Sequence, residues 1–190
     1  MGRLDPRPAR AQRAGPVGQE GAAVTRRTLP AIALALLLLG CGSGATESTE
    51  VDTSAHDFDG DECAACGMIV SEQPSPRGQV IHRDGTRAYA CALADMHTYA
   101  SAPSGHGQVI ASYVEVLPPD ADPADSSTAP ERWVPAEEAF YVLGVVRNNV
   151  MGQPVLSYAT RADAEQAAER FGGHVVDYAG LQDALDEGQR

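Results

Sequence analysis

The sequence predicts an α+β protein of two tandem ββαβ halves, with antiparallel or mixed sheets each carrying a helix, behind a disordered N-terminal signal and tether. Three observations carry this. The order strand, turn, strand, helix, strand occurs on both sides of a breaker-rich stretch at 118–130. Tyr89-Ala90-Cys91 ahead of the first helix matches Tyr158-Ala159-Thr160 ahead of the second, and Gly105-His106 after the first resembles Gly173-His174 after the second. About 150 residues follow Cys41, enough for one domain or two small halves.

The N-terminus reads as a targeting segment. Arg26-Arg27 precede an uncharged run at 29–39, broken only by Pro30, and Leu38-Leu39-Gly40-Cys41 follows. A basic region, a short apolar region and a Leu-x-Gly-Cys end form a lipoprotein signal, with cleavage after residue 40 and lipid on the Cys41 thiol. The run is shorter than the ~20 residues a spanning helix needs. Residues 1–23, rich in Arg, Pro and Gly, read as a mis-annotated start upstream of that signal. Residues 41–60 are Gly/Ser/Thr/Asp/Glu-rich and are expected to form a disordered tether.

The first half is expected over 61–117. Residues 78–82 alternate as a strand, Asp84-Gly85 supplies a hairpin turn, and 86–90 return. Leu93, Met96, His97 and Ala100 at helical spacing mark a helix near 91–102, and 108–114 form a third strand. A linker is expected at 118–132 and the second half at 133–190. Its strands are 140–146, 154–159 and 174–178. Thr160 with Asp163 starts its helix, Gly172-Gly173 ends it, and a short helix is expected at 181–187. Trp133 reads as an anchor packing the end of the linker.

Charge divides at Cys41: the segment before it carries +4 and the rest −16, giving the total of −12, and all 14 basic residues are arginine. So acidic a mature domain excludes nucleic-acid binding through phosphates.

Residues 63–68, Cys63-Ala64-Ala65-Cys66-Gly67-Met68, hold two thiols and a thioether within six positions. Soft sulfur donors select soft metals, and a thioether beside thiolates favours Cu(I) over Zn(II). Position 67 is Gly, which excludes c-type haem; a second Cys pair for a zinc ribbon is missing, as is the strand-to-helix context of a thioredoxin site. A Cys63–Cys66 disulfide stays open as a structural alternative. Of the 4 cysteines, Cys41 is assigned to lipid, leaving an odd number and so at least one functional thiol. Met68 and Met151, the latter in a polar loop before Gly152-Gln153-Pro154, are each open between ligand and packing roles. Met96 reads as core, and Cys91 as a small buried thiol with ligation as its alternative. His82, His97, His106 and His174 read as satisfied surface or interface histidines.

The lipobox, the Cys63-to-Met68 segment with Ile69-Val70, Trp133-Val134, Tyr141-Val142-Leu143-Gly144, Met151-Gly152-Gln153-Pro154 and Phe171-Gly172-Gly173-His174-Val175-Val176 resemble the NosL family over about residues 61–180. The resemblance implies a pair of ββαβ halves, similar to the organomercurial lyase fold. It implies a lipid-anchored extracytoplasmic Cu(I) metallochaperone, not an enzyme, that takes copper from a donor or transporter. Delivery would be to apo-nitrous oxide reductase for its copper–sulfide cluster. Carried over position by position, the ligands are Cys66, Met68 and Met151, with Cys63 as an accessory, because some members keep only the second cysteine. Many members have Ser where this chain has Val145, and a further methionine where it has Val116 and Leu117. The rival expectations are a thiol oxidoreductase or organomercurial-lyase-like enzyme, and a structural zinc-binding lipoprotein.

Overall fold

The structure, a computed structural model, describes residues 50–125, 127–147 and 152–188. Two antiparallel sheets and three helices form over these residues. The first half runs β1 (Gly78–His82), β2 (Arg87–Ala90), α1 (Leu93–Ser101), β3 (Val109–Val116) and β4 (Arg132–Pro135). The second runs β5 (Phe140–Leu143), β6 (Val155–Tyr158), α2 (Arg161–Phe171), β7 (His174–Val176) and α3 (Tyr178–Gly188).

Both halves place their first strand in the middle. The sheet orders are β2-β1-β3-β4 and β6-β5-β7, so the three strands of each ββαβ unit are connected identically. The expected duplication is therefore a duplication of topology. Strand β1, buried at all five positions, pairs with β2 through a tight turn in which Gly85 takes φ +86° and donates to the His82 carbonyl. That left-handed geometry is where glycine costs least. In the second half, Gly173 has φ +98°, and a Cβ there would collide with the Leu143 carbonyl, so the glycine lets β7 close against β5.

The halves share one core. Val80, Leu93, Met96 and Val114 of the first pack in the same buried cluster as Tyr141, Leu143, Leu181 and Leu185 of the second. The Leu117 N–H donates to the Ser157 carbonyl, the Ser157 hydroxyl donates to the Glu115 carbonyl, and His97 Nε2 lies 2.8 Å from Asp186 Oδ1, linking α1 to α3. A smaller apolar cluster lies under α2, built on Val142, Leu156, Ala164 and Ala167.

Three boundaries differ from expectation. Residues 50–60, assigned by composition to the tether, pack on the first sheet. The backbone of His56 exchanges hydrogen bonds with the buried Gln79 amide, Arg87 donates to the carbonyls of Asp52 and Ser54, and Phe58 sits edge-on between Tyr89 and Trp133. One aromatic and a few backbone groups suffice to order a stretch whose average composition is polar. Second, Trp133 does not open the second half, because β4 pairs with β3 in the first sheet. Third, α3 begins at Tyr178, and the strands at 140–146 and 174–178 are shorter than expected. The signal region 1–40 and Cys41 lie outside the described residues.

Candidate metal centre

The Cys63-to-Met68 segment folds as a closed loop. Cys63 N–H donates to the Met68 carbonyl at 2.7 Å, Gly67 N–H donates to the Cys63 carbonyl at 2.8 Å, and Glu62 bridges Ile69 below them. Gly67 takes φ +75°, the left-handed position that turns the chain back. The loop is then fastened sideways. Cys63 bridges Tyr89 in parallel, and Ala64 N–H donates to the Tyr89 carbonyl at 2.8 Å. That one bridge brings the loop to the end of β2, where the chain leaves the sheet for α1.

Cys91 stands at that junction and Asp95 in the first turn of α1. Cys66 Sγ lies 3.4 Å from Cys91 Sγ, and Cys91 Sγ lies 3.2 Å from Asp95 Oδ2. Cys63 Sγ is 3.9 Å from the same carboxylate oxygen, and one donor atom from each of Cys63, Cys66, Cys91 and Asp95 lies within 4.8 Å of all the others. Cys63 and Cys91 are buried, 3% and 5% exposed, whereas Cys66 is exposed. The cluster thus has a sealed floor and one sulfur at the surface. All three thiols are free, so the Cys63–Cys66 disulfide alternative is not the state described.

Two of the sulfurs are poised oppositely. Burial pushes the Cys63 thiol up, but the backbone N–H groups of Cys91, Ala65 and Cys66 face its sulfur and together bring it below the usual thiol range. Burial pushes the Cys91 thiol up, and its contacts with Cys66 and Asp95 push it further. The Cys91 thiol donates to the Asp95 carboxylate.

The expected site residues fare differently. Cys63 and Cys66 come together, beside Cys91 and Asp95. Met68 is half-buried with its side chain against the apolar core, and its carbonyl fixes Cys63. Met151 lies outside the described residues. Gln153 and Pro154, just after it, line a narrow cleft together with Cys91 and Arg147. Met96 is core, as expected. Buried His82 lies 2.9 Å from the Gly107 carbonyl through Nδ1 and 3.1 Å from the Tyr99 hydroxyl through Nε2, while His106 pairs with Asp84. Cys91 and Asp95 are the members that sequence reasoning did not select. Their signal was faint: a Cys where the matched position of the second half has Thr160, and an odd count of thiols.

Fold and site together define a class: a duplicated ββαβ protein with a cluster of three thiols and a carboxylate on its first half that could hold a metal ion. The chain belongs to the NosL family, whose model matches residues 56–185. A relative described as the copper-binding lipoprotein NosL of Stutzerimonas stutzeri is 31% identical over 163 residues, covering 83% of this chain and 80% of its own. The protein of the same description from Achromobacter cycloclastes is 28% identical over 127 residues, 63% of each chain. The crystal structure of the copper chaperone NosL from Shewanella denitrificans aligns with a TM-score of 0.57 at 24% identity, covering 67% of this chain and 94% of that one. The last likeness bears on the fold.

Proposed function

We propose that this chain is a lipid-anchored extracytoplasmic Cu(I) metallochaperone that delivers copper for the copper–sulfide cluster of nitrous oxide reductase. The observation that carries the reading is the thiol cluster itself: exposed Cys66 beside buried Cys63 and Cys91. Soft sulfur in this density selects Cu(I). The names of the two curated relatives support copper and lipoprotein character. Cys66 and Cys91 are the central donors and Cys63 a third. Met68 adds a thioether from the same loop. Met151 adds one from the second half, a reading supported by the cleft that Gln153 and Pro154 share with Cys91.

Function follows from the one-sided exposure. Buried donors hold the ion, and an acceptor's ligands reach it at Cys66 and replace donors in turn. The donor is a copper transporter or carrier, the acceptor is apo-nitrous oxide reductase, and Cys41 holds the chain at the membrane. Thiolate ligation releases protons, so Cu(I) affinity rises with pH. Anaerobic competition against a chromophoric Cu(I) chelator tests the reading. Wild type takes up stoichiometric copper and Cys66→Ser binds it far more weakly. Stoichiometric high-affinity copper retained by that variant would overturn the assignment.

A further inference from the structure

The three thiols differ as redox groups. Cys66 is exposed, on a loop turned by Gly67, and space is open around that glycine. Cys63 and Cys91 are buried, so an oxidant from solution reaches Cys66 first. The sulfur in contact with Cys66 Sγ is that of Cys91, at 3.4 Å. An S–S bond of ~2.05 Å asks for a closing movement of roughly 1.3 Å. The loop can supply it, because Cys91 is anchored at the corner between β2 and α1. Cys63 is held out of this pairing. Its N–H donates to the Met68 carbonyl, its carbonyl accepts from Gly67 N–H, and its sulfur accepts from Cys91 N–H at 3.4 Å. Sequence spacing pairs Cys66 with Cys63; the fold pairs it with Cys91.

We propose that the metal-free chain forms a Cys66–Cys91 disulfide by exchange with a disulfide oxidant, while Cys63 stays a thiol. The Cys66 sulfur, its proton released to solvent, attacks one sulfur of the external disulfide. That S–S bond breaks, and one half leaves as a thiolate that takes up a proton. The Cys91 sulfur then attacks the Cys66 sulfur and the second half leaves as a thiol. The Cys91 proton passes to the Asp95 carboxylate, which it faces at 3.2 Å, and on to solvent. The two cysteines lose two electrons and two protons, and the external disulfide becomes two thiols. Asp95, whose hard oxygen does not select Cu(I), thereby acts as proton acceptor beside the resolving thiol. The proposal goes beyond the copper reading and does not rest on it. In consequence, an oxidising exported compartment spends the exposed thiol and ties the 63–68 loop covalently to the start of α1. The chain must then be reduced before these sulfurs can hold a soft ion.

The test uses the full chain with Cys41→Ser, so that only the clustered thiols are counted. It is reduced, freed of metal and incubated with oxidised glutathione. Remaining thiols are alkylated and the chain is digested without reduction; trypsin cuts at Arg77, Arg83 and Arg87, between the two partners. The expected product is a cross-linked pair of peptides, with fragmentation placing the bond at Cys66–Cys91 and the alkyl group on Cys63. The same bond should form to the same extent in Cys63→Ser. A bond from Cys63 to either other cysteine, a glutathione adduct left standing on Cys66, or three alkylated thiols overturns the proposal. So does a Cys63→Ser chain that keeps the parent's circular dichroism yet fails to close the bond. Cu(I) titration of the still-reduced chain tests the copper reading separately, since no metal enters the oxidation.

Discussion

The two ββαβ halves reach the same corner and use it differently. In the second half, the strand ends Tyr158-Ala159 and Thr160 caps α2. Its hydroxyl oxygen accepts from Asp163 N–H at 3.1 Å and its hydroxyl donates to the Asp163 carboxylate at 2.6 Å. In the first half the strand ends Tyr89-Ala90, and the matched position is Cys91, turned toward Cys63, Cys66 and Asp95. The cap of α1 falls one residue later, on Ala92, whose methyl has no acceptor to offer the helix N-terminus. One corner stabilises a helix; the other gives up that contact and gains a place in the thiol cluster. In a duplicated fold, the position where one copy departs from good local chemistry marks the working copy.

The sharpest way to break this comparison is to make the first corner like the second. Cys91→Thr removes a donor from the cluster. An apparent ~10–16 kcal/mol for a four-ligand thiol site is roughly 2.5–4 kcal/mol per ligand, on the order of 100-fold in affinity. Competitive metal titration should show that loss, while denaturant unfolding of the metal-free chain should change little.

The matched glycines give the next largest effect. Gly173→Ala meets left-handed strain of ~1–2 kcal/mol and overpacking of ~1–3 kcal/mol against the Leu143 carbonyl. Gly105, its counterpart by sequence, faces open space, so Gly105→Ala should stay near wild type. Equal losses by urea unfolding would mean that the halves close their sheets alike.

Caps come third. Thr160→Ala should cost about 1 kcal/mol and a few degrees of Tm. Ala92→Ser, at an extended N-cap backbone, should gain a few tenths to about 1 kcal/mol. Calorimetry of the pair shows whether the first helix lacks what the second has.

The smallest effect lies in the first hairpin. The Thr86 backbone N–H and His106 hold the Asp84 carboxyl down to about 2 from an ordinary 3.8. A carboxyl held low in the fold adds stability above its unfolded value, and that contribution disappears as pH falls through the folded one. Asp84→Asn should therefore be slightly less stable than wild type near neutral pH, with the gap closing toward pH ~2. A gap that widens with acid would refute the assigned partners.

Much of this was legible in local pattern. Alternation and turn residues located both ββαβ units, and Thr160 and Asp163 announced a cap. The rest depended on pairing between distant segments. The assignment of β4 to the first sheet follows from its register with β3, which no local pattern encodes. The order of residues 50–60 hangs on Phe58 finding Tyr89 and Trp133, a few contacts invisible to average composition.

By itself, the sequence determined the duplicated architecture, the acidic composition and the presence of soft donors at 63–68. These are properties of composition, spacing and period, written within a few residues of one another. Only the tertiary structure decided which side chains cluster with Cys63 and Cys66. Cys91 lies 28 residues beyond Cys63, and the parallel bridge between Cys63 and Tyr89 brings them together. α1 then aims Asp95 at both sulfurs. A metal site is a set of distances, and distances between remote side chains are fixed by how strands pair and where a helix begins.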